Sequence, residues 1–156
     1  MHIRLIAVGE RQPVWVDEAF AIYTKRFPPA WKFRLDTIPT ARRGKNEAPR
    51  QAREAEGRAV LSRLRPGELI VLLDERGKQM TSRQLAERLQ TWQADGRDLC
   101  FIIGGPDGVS GECRDQASVT WSLSNLTLPH GLARVTFAEA IYRAWSLQLG
   151  HPYHRD

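Results

Sequence analysis

The sequence predicts an α/β fold built on a mostly parallel sheet. Two unbroken apolar runs carry that reading, within ELIVLLDE (68–75) and LCFIIGG (99–105). Strands covered on both faces read this way. Segments with helical spacing alternate with extended ones along the whole chain, the pattern of helical crossovers between parallel strands. No internal repeat, low-complexity stretch or interior linker interrupts the 156 residues. A single domain over residues 1–156 is therefore expected.

The elements follow in order. HIRLIAVG (2–9) is a short apolar strand ending at a glycine. Pro13 suits a first helical turn, and Val16, Phe20, Tyr23 and Phe27 recur at helical intervals until Pro28 and Pro29. KFRLDTIP (32–39) alternates Phe33, Leu35 and Thr37 with charges, as a half-buried or edge strand does. TARRGKNEAP (40–49) reads as a mobile basic loop, and 50–64 as a polar helix. After the first apolar run, Thr81 and Gln84 stand at capping-box spacing, Leu85, Leu89 and Trp92 share a face, and Gly96 ends that helix. Beyond the second run come a short helix after Gly111, a strand VTWSLS (119–124), the loop NLTLPHG and a last helix over about 132–149. The tail is GHPYHRD.

Composition narrows the function classes. Hydrophobic residues make up 42% and charged ones 26%, which is a folded and not a disordered chain. No apolar run approaches the roughly 20 residues that span a bilayer, and the N-terminal apolar stretch is too short for a signal sequence; a cytoplasmic location is expected. Cys100 and Cys113 form no CxxC, so two free thiols are expected and not a disulfide or zinc scaffold. The net charge of +5 favours a nucleic-acid partner. Between Thr40 and Arg65 stand Arg42, Arg43, Lys45, Arg50, Arg53, Arg58, Arg63 and Arg65 against Glu47, Glu54 and Glu56, a local excess as large as that of the whole chain. A phosphate-binding surface and a solvated helix face both fit this stretch.

Ligands of open α/β sheets gather beyond the carboxyl ends of the strands. Here that means the loops after Leu73, Ile103 and Ser124. FIIGGPDGVSGE (101–112) offers glycines that admit close backbone approach. It is neither a P-loop nor a GxGxxG fingerprint. Pro106 removes a backbone donor from the turn, and Asp107 and Glu112 repel phosphate with no lysine or arginine between Phe101 and Cys113. A ligand without phosphates, bearing positive charge, fits better, and S-adenosylmethionine meets that description. A plain tight turn fits the same residues. Leu126 and Leu128 suit the walls of an adenine pocket with backbone groups of 124–129 at its edge, or ordinary core.

IGGPDG, LSNLTLPH, RVTFAEAIYRAW and HPYHR, with IRLIAVG and RRGK, stand in the order found in the small bacterial methyltransferases of the SPOUT superfamily that modify the large ribosomal subunit. The chain resembles that family over nearly its full length, and within it the type that methylates N3 of pseudouridine. The resemblance implies a C-terminal trefoil knot and a homodimer. It implies S-adenosylmethionine held by Leu73, Gly105, Ser124, Asn125, Leu126, Thr127, Leu128 and Pro129. The implied substrate is a pseudouridine in helix 69 of 23S rRNA, presented by the assembled 70S ribosome.

The implied reaction is an in-line methyl transfer that needs no metal. It requires alignment, and removal of the N3 proton. In the tail, His154 is the candidate proton acceptor, Tyr153 the residue to stack on or bond the base, and Arg155 the group for charge on the carbonyl oxygens or a phosphate. A frayed terminus is the alternative. His151 and His154 have HxxH spacing with no cysteine or carboxylate cluster beside them, so no metal site is expected. Arg42, Arg43, Lys45 and Arg143 are candidate rRNA contacts, although Arg143 also stands four residues from Glu139.

Overall fold

Ten elements alternate along the chain: β1 (His2–Val8), α1 (Val14–Thr24), β2 (Lys32–Ile38), α2 (Pro49–Leu61), β3 (Leu69–Gln79), α3 (Ser82–Ala94), β4 (Leu99–Ile103), α4 (Gly111–Gln116), β5 (Val119–Ser122) and α5 (His130–Gln148). They come from a computed structural model that describes residues 1–46 and 48–154. The strands form one parallel sheet in the order β2-β1-β4-β3-β5. The α/β expectation and the two buried strands are borne out. β3 and β4 lie inside the sheet, and every residue of β4 is buried.

Period-two alternation assigns the strand residues to two layers. Ile3, Leu5 and Ala7 of β1 join Phe20, Leu89, Phe101, Phe137 and Ile141 in one core beneath α1, α3 and α5. Ile6 and Val8 join Val60, Ile70, Ile102 and Cys113 in a second core beneath α2 and α4. Each Val, Leu, Ile or Phe among them contributes about 1.5–3 kcal/mol when fully buried. Phe137 of α5 lies with its ring centroid 4.7 Å from that of Phe101, which places the last helix over the middle of the sheet. The exception in the second layer is Arg4. It is buried and bonds Glu68 at 2.7 and 2.8 Å and Asp36 at 2.9 Å.

Several boundaries differ from the sequence reading. α1 ends at Thr24 and leaves Phe27 to a turn, where it stacks on Trp31 at 5.7 Å. α5 begins at His130, one residue after Pro129. β3 runs on to Gln79 because the chain arches away after Leu73 and returns: Leu73 and Lys78 both pair with Trp121 of β5. Gly77 permits this crossing. A Cβ there would lie 2.7–2.8 Å from backbone atoms of Thr120, Trp121 and Ser122. The loop expected to be mobile is tied down at Ala41 and Arg43, both of which bond Glu56.

Candidate functional site

A cavity of about 850 Å³ opens at the carboxyl end of the sheet, within the roughly 300–1,000 Å³ range of small-molecule sites. All three expected loops reach it. Leu73, Gly105, Ser124, Leu126, Thr127, Leu128 and Pro129 line it, whereas Asn125 is exposed and does not. Leu126 is 75% exposed, so the core alternative for this leucine is excluded. It stands at the cavity as an apolar wall held by its own N–H, which donates to Ser124 Oγ at 2.9 Å. Sequence reasoning missed Glu10 and Gln12 after β1, Pro39 and Thr40 after β2, and Asp74 and Glu75; His130, directly after Pro129, lines the cavity as well. The carboxyl-end rule, applied to every strand, finds most of them.

The glycine turn closes by a Gly108 N–H to Gly105 carbonyl bond of 3.0 Å, with Gly108 at φ +78°. A side chain on either of its first two glycines would meet protein, so packing requires both, and both also line the cavity. A Cβ on Gly104 would lie 2.8 Å from the Gly108 backbone, and one on Gly105 2.8 Å from Glu56 Oε1 and 3.0 Å from Val8. Glu56 is 3% exposed beneath the turn. It accepts from Ala41 N at 2.9 Å and from both terminal nitrogens of Arg43 at 3.0 and 3.1 Å. Arg43 Nε donates to Asp107 at 2.8 Å. A cation thus reaches the glycine loop from another segment, but it serves two carboxylates. These bonds, to Glu56 first and then to Asp107, raise the guanidinium pKa above its ordinary value. Arg43 is an internal clamp, and the phosphate role expected for it competes with that clamp. Arg42 and Lys45 are exposed on the same loop.

Carboxylates dominate the charged lining. Glu10, Asp74 and Glu75 stand at the cavity, with Arg11 as the one arginine or lysine among its described lining residues. Asp74 bonds Arg114 at 2.8 Å. Burial pushes its carboxyl up, but Arg114 and the Arg76 N–H outweigh that and lower it overall. Glu75 accepts from the Thr127 hydroxyl at 3.2 Å, joining the β3 arch to the loop after β5. His130 is locked at the cavity floor. Its Nδ1 faces the Gly104 carbonyl at 3.2 Å, and its Nε2 lies 2.9 Å from Nη2 of Arg134. An arginine only donates, so Nε2 accepts and Nδ1 carries the proton. Burial, then the Arg134 charge, holds the imidazole below its usual pKa. Arg134 is 1% exposed and also donates to the Gly9 carbonyl at 2.8 Å.

The tail packs elsewhere. Tyr153 lies edge-on to Tyr142 at 4.7 Å and donates its hydroxyl to Glu139 at 3.0 Å. Burial, then the Glu139 bond, raises the phenol above its ordinary pKa. Arg143 bonds Glu139 at 2.7 Å and lies over the Tyr153 ring at 5.1 Å. The helix salt bridge foreseen for Arg143 therefore forms. His154 Nδ1 is buried with no hydrogen-bond partner among the described residues. His151 Nδ1 accepts from the Tyr153 N–H at 3.2 Å. Arg155 lies outside the described residues. Neither Tyr153 nor His154 lines the cavity of its own chain.

Comparison with known proteins matches this arrangement to a family. A family profile described as "Predicted SPOUT methyltransferase" covers residues 1–154. The protein named Ribosomal RNA large subunit methyltransferase H from Thioalkalivibrio sulfidiphilus (strain HL-EbGR7) is 47% identical over 156 residues, the full length of both chains. With its parallel sheet, its cavity at the strand ends and its motif loops converging there, the chain belongs to the SPOUT methyltransferase family.

Proposed function

We propose that this protein methylates N3 of a pseudouridine in helix 69 of 23S rRNA. S-adenosylmethionine is the donor and the assembled 70S ribosome the substrate. The enzyme acts in the cytoplasm as a homodimer of single-domain chains, with the segment after β5 threaded as a trefoil knot. The observation that carries this reading is the convergence of the three family-like loops on one cavity whose charged lining is mainly acidic. The full-length relative named for ribosomal RNA supports the substrate class.

The lining fits the donor. Leu73, Leu126 and Leu128 present apolar surface for an adenine, and Glu10 and Glu75 favour a positively charged group over a phosphate. When bound, S-adenosylmethionine supplies a methyl group already activated by the sulfonium charge. The protein's own contribution is alignment, which supplies roughly 7–11 kcal/mol of a barrier of this kind, and acceptance of the N3 proton. His130 is unsuited to that second task, because Arg134 occupies the lone pair of its Nε2. His154 takes it in this reading, with Tyr153 and Arg155 placing the base. The described tail residues lie outside their own chain's cavity, so they complete the cavity of the partner subunit. Arg42 and Lys45, exposed on the loop beside the glycine turn, contact rRNA phosphates.

The test is transfer of radiolabelled methyl to unmodified 70S ribosomes, with free 23S rRNA and tRNA alongside. Label confined to ribosomes and mapped to N3 of a helix 69 pseudouridine is expected. Label on tRNA, or cofactor binding without any label, would overturn the assignment. For the shared site, a Tyr153→Ala subunit and a Gly105→Val subunit, each inactive alone, regain activity in verified heterodimers. No recovery refutes the sharing.

A further inference from the structure

The candidate cations of the central basic stretch are partly spent inside the molecule. Arg43 serves Glu56 and Asp107, Arg50 pairs with Glu54 at 2.9 Å, and on α5 Arg143 pairs with Glu139. The charge excess reappears at the opposite, amino-terminal edge of the sheet. There a groove of about 410 Å³ is lined by His2, Arg4, Lys32, Phe33, Arg34 and Arg65. Register pairs His2 with Lys32 and Arg4 with Arg34, so these four share one face of β1 and β2. Arg65 arrives from the turn after α2.

Two of the nearby carboxylates are taken up by cations, and a third, Asp98, accepts the His2 N–H at 2.8 Å. Glu68 accepts from Arg4 Nε, Arg4 Nη2 and the Arg65 N–H at 2.7–2.9 Å. Asp36 accepts from Arg4 Nη1 and Arg34 Nε at 2.9 and 2.7 Å. Arg4, thus neutralised, is the buried floor. Among the described residues Arg34 bonds a carboxylate through Nε alone, and its side chain is 66% exposed. The exposed side chains of Lys32 and Arg65 pair with no carboxylate among the described residues. Charges on an edge strand also guard against strand pairing. That role asks nothing of His2 and Arg4 on the inner strand β1, nor of Arg65 on a separate turn.

We propose that this groove is a phosphodiester-binding site, a second rRNA contact on the far side of the sheet from the cavity. The proposal rests on the reading of the chain as an rRNA methyltransferase. The groove and the cavity stand at opposite ends of the seven-residue strand β1, about 20 Å apart at roughly 3.3 Å per residue. That span is roughly six base steps of a duplex strand at 3.4 Å each. One stretched-out target nucleotide cannot fill both. The groove therefore selects RNA folded so that a second run of backbone lies that far from the target base.

The test uses Lys32→Ala/Arg34→Ala/Arg65→Ala, with exposed Arg88→Ala as a charge control. Ribosome affinity is measured by co-sedimentation over a salt series, and cofactor affinity and urea stability in parallel. The triple variant is expected to bind ribosomes about tenfold more weakly, with a salt slope shallower by about two to three. Cofactor affinity stays unchanged, stability falls only by the loss of the Arg34–Asp36 pair, and the weakening also appears with protein-free 23S rRNA. An unaltered salt slope overturns the proposal. So does weakening that disappears on protein-free rRNA, because the partner is then an acidic protein surface. Because binding is read directly, failure of the methylation assay and failure of the groove are told apart.

Discussion

Arg43→Ala separates a clamp from a phosphate ligand. The substitution leaves the Glu56 carboxylate, whose side chain is 2% exposed, with the Ala41 N–H as its one remaining hydrogen-bond donor among the described residues. Asp107 loses its cation as well, but at 31% exposure it regains water. Removing one partner of a buried ion pair costs roughly 3–5 kcal/mol. The Arg43 side chain is itself 26% exposed, and water can enter behind it, so the lower end applies: about 3 kcal/mol. That is about two orders of magnitude in the folding equilibrium. The assay is urea unfolding followed by tryptophan fluorescence, with cofactor affinity measured on the folded protein. Arg43→Ala/Glu56→Gln should recover a substantial part of the loss, since the stranded charge is gone. Cofactor affinity should fall in the single variant, because the clamp holds the turn at Gly105. A loss below about 1 kcal/mol, the scale of exposed ion pairs, together with weaker ribosome binding, would refute the clamp and restore Arg43 as an rRNA contact.

Other consequences are open to direct measurement. Glu75→Gln should weaken S-adenosylmethionine about threefold and the uncharged product S-adenosylhomocysteine much less, by calorimetry; Glu75 is exposed, so the effect stays at the scale of a screened pair. Equal weakening of both ligands would mean that Glu75 does not sense the sulfonium. His130 is held below its usual pKa, so the unfolded chain binds its proton more readily. Its contribution to stability is complete above about pH 6.5 and is lost as pH falls below that value. Unfolding free energies of His130→Asn between pH 7 and pH 5 should accordingly decline less than those of the wild type, and parallel curves would contradict this. Burial pushes the Cys100 thiol up to about 12, and burial likewise raises Cys113. Neither should react with a thiol reagent at pH 8 until urea unfolds the chain, and rapid native labelling would show that the second core opens.

What the sequence disclosed depended on how local the cause is. The capping box at Thr81 and Gln84 needs residues three apart, and both of its bonds form, at 2.9 and 3.2 Å. The two apolar runs needed only their own composition to mark interior strands. The cavity loops followed from the polarity of a parallel sheet. The clamp was invisible because its members, Arg43, Glu56 and Asp107, are up to 64 positions apart. The glycine loop was read for the right place without its packing role: Gly104 and Gly105 make room for Gly108 and Glu56, and no local pattern announces the second of these. The extension of β3 was hidden in the same way, since Gly77 is required by the backbone of β5, more than 40 residues later.

The place of α5 bears on how the chain is made. Synthesis proceeds from the amino terminus, and domains fold as the chain emerges. Four of the five strands and the first four helices are available before β5 and α5 leave the ribosome. Until then Phe20, Leu89 and Phe101 lack the cover of Phe137 and Ile141. The nascent protein carries a bare aromatic face for as long as it takes to make β5 and α5. A chain stopped before Phe137 would keep that face bare, so α5 works as the closure that covers a sticky intermediate.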